Sequence, residues 1–116
     1  MPRIAIIDDD ASVRSSIELV LSAKGHDAVS FPDAKQFLAT ADASEFDLLL
    51  VDNDMPHMTG LELHDWLQGQ TVLRPKFVLM SGRITEEDFA QTHEVREVTL
   101  LSKPFSLAKL LQIVNF

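Results

Sequence analysis

Five short apolar runs at regular spacing are the feature that most restricts how this chain can fold. They are "IAII" (4–7), "AVSF" (28–31), "LLLV" (48–51), "FVLM" (77–80) and "TLL" (99–101). Each run has the length of a β-strand, and each is followed by a segment with helical features. Because parallel neighbouring strands need crossover connections, the alternation predicts an α/β fold: a doubly wound parallel sheet with helices on both faces.

The first of the predicted helices has the clearest pattern. Val13, Ile17 and Leu21 recur at helical steps, and Gly25 follows Lys24 as a stop signal. The later helices are predicted to begin at Asp33, after Gly60, at Thr85 and at Ser106.

Length and charge exclude several classes of function. A chain of 116 residues is one domain, residues 1–116, and needs no partner in order to fold. Its formal net charge of -8 repels phosphate backbones and anionic lipid, so we expect neither direct nucleic-acid binding nor membrane binding. The absence of cysteine excludes disulfides and thiolate metal sites. Without a signal-peptide core, the chain is expected to be cytoplasmic.

Polar side chains follow four of the five runs. They are Asp8 and Asp9 after the first, Asp52 and Asp54 after the third, Ser81 after the fourth and Lys103 after the fifth. Taken singly, each is most simply a helix cap or a turn residue, and Asp10 is expected to be only a cap. In a doubly wound sheet, however, these strand ends meet at one edge, where ligands bind.

The chemistry of this set points to phosphoryl transfer. Carboxylates packed together raise one another's pKa and need a cation, and an all-oxygen ligand set suits Mg²⁺. A lysine can pair with a carboxylate or with a phosphoryl oxygen, and a serine hydroxyl can donate to the same group. A carboxylate can itself be the nucleophile. The expected product is an aspartyl phosphate, stabilised by the metal and the cation.

Four motifs, "IIDDD" (6–10), "DLLLVDNDMPHMTGLEL" (47–63), "VLMSG" (78–82) and "LLSKPF" (100–105), resemble the receiver domain of two-component response regulators. The resemblance covers the whole chain and implies a flavodoxin-like sheet of strand order 2-1-3-4-5. It also implies a signalling domain that assists its own phosphorylation, not a turnover enzyme. Its phosphoryl donor would be a sensor histidine kinase or a phosphotransfer protein.

The resemblance also assigns roles to individual residues. Asp52 would be the phosphoacceptor, and Ser81 and Lys103 would contact the phosphoryl group. The implied Mg²⁺ ligands are Asp9 directly, Asp8 through water, Asp52, and the backbone carbonyl of Asp54. The peptide bond between Lys103 and Pro104 would be cis.

Three departures from the family pattern concern switching and phosphate lifetime. Leu100 stands where such domains usually carry Tyr or Phe, so an aromatic switch acting with Ser81 is in doubt. The stretch "THEVREV" (92–98) replaces the usual small residues before the last strand. Asp54 and Arg83 occupy variable positions beside the site, and Asp54 is expected to alter dephosphorylation.

The resemblance further implies partner surfaces. The kinase would contact the first helix, and output or a weak, phosphorylation-dependent homodimer would use the face of the fourth helix, fifth strand and fifth helix. A longer regulator containing this domain is slightly favoured over a domain that works alone.

Two alternatives remain open. One is a pseudo-receiver that binds partners without phosphorylation. The other is a phosphatase of the haloacid-dehalogenase type, although Pro56 does not fit that motif. Among the remaining residues, Met55 and Met58 are expected to pack the loop, and the four histidines are expected to be exposed: His26, His57, His64 and His93.

Overall fold

The computed structural model describes residues 2–70, 75–84 and 98–114. Within these ranges the strands are β1 (Arg3–Ile7), β2 (Asp27–Phe31), β3 (Leu48–Asp52), β4 (Lys76–Ser81) and β5 (Val98–Ser102). The α-helices are α1 (Ala11–Ala23), α2 (Ala34–Thr40), α3 (Gly60–Gln70) and α4 (Leu107–Val114), and a 3-10 turn spans Ala43–Glu45. Helix α4 is the fifth of the predicted helices. The predicted fourth, from Thr85, and most of the 92–98 stretch lie outside the described residues.

All neighbouring strands pair in parallel, in the order β2-β1-β3-β4-β5. This confirms the predicted fold class and strand order. From β1 the chain turns to one side to form β2, and then returns to form β3 on the other side. The crevice beyond the carboxyl ends of β1 and β3 is therefore the expected ligand position.

Strand β3 is buried along its whole length because both faces of the sheet are covered. Leu48 and Leu50 belong to a mainly aliphatic core shared with α1 and α4. Leu49 and Val51 belong to the opposite core, which contains α2, α3 and four phenylalanines. Since strand side chains alternate between faces, the uninterrupted apolar run supplies both cores at once.

Side-chain caps fix the helix starts next to the sheet. The Asp10 carboxylate accepts from the N–H groups of Ser12 and Val13, so its predicted role as a cap is confirmed. At α3, Thr59 and Glu62 form a reciprocal capping box: the Glu62 N–H donates to the Thr59 hydroxyl, and the Thr59 N–H donates to the Glu62 carboxylate. No helix among the described residues is both long and apolar enough to cross a membrane.

The prediction that His64 is exposed is wrong. His64 is only 1% exposed and lies on the inner side of α3, between Leu63 and Asp65 in sequence. Its ring packs edge-on against Phe77 of β4, with centroids 4.9 Å apart. The aromatic contact and the shielded face of α3 explain the burial, which spacing along the chain did not reveal.

The predictions for the other three histidines and for the two methionines after Asp54 have mixed outcomes. His57 is exposed, as predicted, whereas His26 is half-buried; His93 lies outside the described residues. Met55 is buried in the core on the α2 and α3 side, and Met58 packs against it, which confirms their predicted packing.

Candidate functional site

Asp8 is fully buried just beyond the end of β1 and is held by several hydrogen bonds. Its backbone N–H donates to the Phe31 carbonyl at 3.2 Å. Its Oδ1 accepts from the Asp10 N–H at 2.9 Å, and its carbonyl accepts from the Arg14 guanidinium at 2.8 Å. The backbone of Asp8 is thus fixed by β2 and α1, and its carboxylate by the N–H of Asp10, the cap residue of α1.

Asp52, the last residue of β3, is 3% exposed. Its Oδ1 accepts from the Asp54 N–H at 3.1 Å. The next residue, Asn53, donates its N–H to the Met80 carbonyl of β4 and accepts from the Leu61 N–H through its side-chain oxygen. The backbone after Asp52 is therefore fixed to both β4 and the start of α3.

Gly60 allows this close approach of α3 to the strand end. A Cβ atom at Gly60 would lie 2.5 Å from Cδ1 of Leu79 and 3.0 Å from the backbone oxygen of Asp52. Both distances are shorter than an ordinary carbon contact. The glycine of the "MTG" motif is therefore required by the packing beside Asp52.

Lys103 lies between the two buried carboxylates. Its Nζ is 2.9 Å from Oδ2 of Asp8 and 3.5 Å from Oδ1 of Asp52. Its backbone N–H donates to the Ser81 carbonyl, which fixes the β5 end beside the β4 end. The peptide bond between Lys103 and Pro104 is cis, the isomer that the resemblance implies.

Burial and charge shift two pKa values in this group. Burial raises the pKa of Asp52 to about 6; the hydrogen bond from the Asp54 N–H opposes this, and the charge of Asp8 adds to it. For Lys103, burial disfavours the charged form, but the hydrogen bond to Asp8 and the nearby carboxylates outweigh it, so its pKa is raised. Above about pH 6, Asp52 is therefore an anion held beside a cation.

Three carboxylates converge at this edge of the sheet. One oxygen each from Asp8, Asp9 and Asp52 lies within 4.8 Å of the other two. Asp8 and Asp52 are buried and Asp9 is exposed, so the cluster opens to solvent on one side. An all-carboxylate donor set with an open side suits a hard divalent cation that keeps some of its water, which fits Mg²⁺.

Ser81, the last residue of β4, is fully buried and has a dense set of contacts. Its hydroxyl donates to Oδ2 of Asp54 at 3.4 Å. The Oδ2 atom of Asp54 also accepts from the Gly82 N–H at 3.4 Å. The Ser81 Oγ also accepts from the N–H groups of Arg83 and Ile84. The side chain of Asp54 thus reaches across to the β4 end.

Leu100 lies in β5, directly opposite Leu79 of β4. It is half-buried and packs against the core on the α2 and α3 side. It is not part of the polar cluster that joins Asp8, Asp52 and Lys103.

Two residues of the site, Asn53 and Arg14, are not indicated by the sequence pattern. Asn53 ties the loop after Asp52 to α3, and Arg14 binds the carbonyl of Asp8 from α1. No sequence signal identifies either partner, because each contact joins separate elements. The Thr59 to Glu62 capping box, by contrast, has a recognisable spacing.

Comparison with known proteins shows to which family this chain belongs. A model of the response regulator receiver domain matches residues 4–115. The chain belongs to the response regulator receiver domain family. Receiver domains act in two-component signalling together with sensor histidine kinases.

Two relatives illustrate the sequence similarity. The transcriptional regulatory protein FlgR of Helicobacter pylori is 33% identical over 113 residues, and FixJ of Bradyrhizobium diazoefficiens is 29% identical over 112 residues. Each match covers 97% of this chain, but only 28% of FlgR and 54% of FixJ. This receiver domain therefore corresponds to about half or less of these regulators.

Solved structures agree with this assignment. The chemotaxis protein CheY4 of Vibrio cholerae has a TM-score of 0.80 and 28% identity, covering 99% of each chain. A two-component response regulator from Clostridium difficile has a TM-score of 0.84 at 18% identity, covering 98% of this chain and 93% of that one, and supports the fold alone.

Proposed function

We propose that this receiver domain accepts a phosphoryl group on Asp52 from a phosphohistidine of a sensor histidine kinase or phosphotransfer protein. The observation that supports this most directly is the Lys103 ammonium between the buried carboxylates of Asp8 and Asp52. Burial raises the pKa of Asp52, and this residue ends the central strand of the sheet. Both properties are typical of a functional group in a cleft.

The proposed step is a displacement at phosphorus. A carboxylate oxygen of Asp52 attacks the phosphorus atom, a P–O bond forms and the P–N bond to the donor imidazole breaks. The leaving imidazole keeps the electron pair and takes a proton. Because the pKa of Asp52 is about 6, its nucleophilic anionic form predominates at neutral pH.

Charge neutralisation is the main requirement of this step. Asp9, Asp52 and the backbone carbonyl of Asp54 would hold Mg²⁺ directly, and Asp8 would hold it through water. The metal, when bound, supplies positive charge against the transferring oxygens. Lys103 would contribute a second cation, since its Nζ already contacts the carboxylates of Asp8 and Asp52, and Ser81 would supply a hydrogen-bond donor.

The consequences of phosphorylation are also proposals. Ser81 would respond to the phosphoryl group and transmit the change through β5, where Leu100 replaces the usual aromatic residue. The kinase would bind at α1, while output or weak dimerisation would involve the β5 and α4 face.

We propose that these reactions take place in the cytoplasm. Sedimentation with and without beryllofluoride tests the dimer: an unchanged coefficient would count against it.

Intact mass spectrometry after incubation with Mg²⁺ and acetyl phosphate tests the proposed function. We expect the mass of one phosphoryl group on the wild-type protein and none on Asp52→Asn. No mass increase on the wild-type protein would favour the pseudo-receiver alternative. Turnover of small phosphate esters would instead favour the phosphatase.

A further inference from the structure

The carboxylate of Asp54 has an unusual position for a loop side chain. Its Oδ2 is bound by the Ser81 hydroxyl and by the Gly82 N–H, both at 3.4 Å. These two donors lie at the end of β4, the strand next to the one that ends with Asp52. The carboxylate of the half-buried residue Asp54 therefore lies at the strand ends near the proposed phosphoacceptor, Asp52, and its charge acts on that residue.

We infer that Asp54 is an internal competitor for the phosphoryl group. In the resting protein, its carboxylate binds the donors that an oxygen of the phosphoryl group on Asp52 would use. The inference rests on the proposed function. It goes beyond an effect on phosphate lifetime, because it concerns the resting state and the entry of the phosphoryl group.

The number of available protons makes the competition direct. A serine hydroxyl has one proton, and the Ser81 oxygen already accepts from the N–H groups of Arg83 and Ile84. Its O–H therefore points to Asp54. Gly82 likewise has a single N–H. Neither donor can make a full hydrogen bond to Asp54 and to a phosphoryl oxygen at once.

Charge works in the same direction as the hydrogen bonds. Asp54 adds a negative charge where the phosphoryl group brings more, and like charges at short range disfavour each other. At 3.4 Å the two hydrogen bonds are long, so the competitor is displaced easily. We expect Asp54 to weaken phosphoryl binding several-fold without preventing it.

The metal role proposed for this residue is separable from the competition. It uses the backbone carbonyl of Asp54, which remains after any side-chain substitution. The Asp54 backbone N–H, which donates to Asp52, also remains. Side-chain variants therefore test the competition while leaving these backbone groups in place.

The resting contact is tested first, without metal or phosphoryl donor, from the Gly82 amide signal in nitrogen–proton NMR spectra. Losing a charged acceptor should move the Gly82 amide proton upfield in Asp54→Ala. Asp54→Asn keeps an acceptor oxygen, so we expect a smaller shift there. A Gly82 signal that is unchanged in Asp54→Ala would overturn the inference, whatever the phosphorylation results.

Competition is tested by titrating each variant with beryllofluoride and Mg²⁺, followed by the same amide signal. We expect Asp54→Ala to bind beryllofluoride about three- to tenfold more tightly than the wild-type protein, with Asp54→Asn between them. The control is Asp27→Ala, which removes the same charge from an exposed position at the start of β2. Equal tightening in that control would overturn the inference, because it would show a general effect of net charge.

The two proposals fail in different ways. A wild-type protein that binds no beryllofluoride would contradict the proposed function, and the competition would fall with it. A wild-type protein that binds it as tightly as Asp54→Ala would overturn only the competition. Titration with Mg²⁺ alone separates the effect on the metal: losing the negative charge of Asp54 should not tighten Mg²⁺ binding, because an anion near a cation attracts it. A Mg²⁺ affinity that rises in Asp54→Ala as much as the beryllofluoride affinity does would also overturn the competition.

Discussion

The two edges of the sheet carry similar charged groups in different surroundings. At the amino edge, Arg3 pairs with Glu45 at 3.1 Å and with Asp27 at 3.5 Å, and these side chains are 39%, 60% and 52% exposed. At the carboxyl edge, the pairs join Lys103, 25% exposed, to Asp8 and Asp52, 0% and 4% exposed. Water screens the exposed pairs at the amino edge. The buried carboxylates at the carboxyl edge depend instead on the ammonium of Lys103 to balance their charge. Burial, not the type of pair, distinguishes the carboxyl edge from the amino edge.

Removing the cation from the carboxyl edge should give the largest single loss of stability, and the matched change at the amino edge a smaller one. In metal-free buffer at about pH 8, Lys103→Met leaves two buried carboxylates without their counter-charge, and should lower the free energy of unfolding by about 3 kcal/mol. Arg3→Met loses exposed pairs and a contact with the Phe46 ring, and should cost about 1 kcal/mol. Urea unfolding measures both. Equal losses would show that burial does not distinguish the edges.

Two glycines of α3 test how tightly the carboxyl edge is packed. Gly60→Ala places a methyl group against Leu79 and the Asp52 carbonyl, and should destabilise the protein by about 2 kcal/mol. The matched control is Gly69→Ala, where the new methyl group meets nothing within 4 Å. It should stabilise the helix by about 0.5 to 1 kcal/mol. Thermal unfolding with the same sign for both would contradict the close approach at Gly60.

The pH dependence of stability should have opposite signs at the two edges. The pKa of Asp52 is raised to about 6, so folding favours the protonated side chain. The stabilisation that this gives to the free energy of unfolding is fully present below pH 3.8 and is lost as the pH rises through about 6. Without metal, Asp52→Asn should therefore gain about 1 to 2 kcal/mol above pH 6 and little below pH 4.

Asp42 at the amino edge is the control. Hydrogen bonds from the Ser44 N–H and hydroxyl lower the pKa of its carboxyl, so its contribution is present above pH 3.8 and is lost as the pH falls through the folded value. Asp42→Asn should lower stability at neutral pH and lose this effect in acid. Urea titrations across this range check both signs, and a destabilising Asp52→Asn at pH 8 would contradict the burial of its charge.

The smallest single effects are expected where the backbone is left-handed. At the amino edge this conformation belongs to Gly25, with φ 87°, whereas in the loop after Asp52 it belongs to His57, with φ 71°. Only glycine adopts it without strain. His57→Gly should raise the free energy of unfolding by about 0.5 kcal/mol, and Gly25→Ala should lower it by about 1 kcal/mol. A less stable His57→Gly would show that His57 makes a compensating contact.

Strand positions and the convergence at the carboxyl edge could be predicted because parallel topology fixes them. Once "IAII" and "LLLV" are read as parallel strands, Asp8 and Asp52 must emerge side by side. Caps such as Asp10 and Ser106 act within one helical turn, and both bonds are present in the structure. Local spacing therefore predicts the helix caps, and sheet topology predicts which strand ends lie side by side.

Contacts between separate loops could not be predicted. Asp54 reaches Ser81 and Gly82 only because β3 and β4 end together and the loop turns toward β4. The burial of His64 depends on a phenylalanine in another element. Such contacts depend on the direction of side chains across the assembled fold, which spacing along one segment does not specify.

Asp52, not a neighbouring carboxylate, is the residue that we propose to carry the phosphoryl group. This assignment is tested by treating the protein with Mg²⁺ and acetyl phosphate, reducing the acyl phosphate with borohydride and locating the resulting homoserine by peptide mass spectrometry. We expect homoserine at position 52, and none there when acetyl phosphate is omitted. Homoserine at position 8, 9 or 54 with an unmodified Asp52 would contradict it.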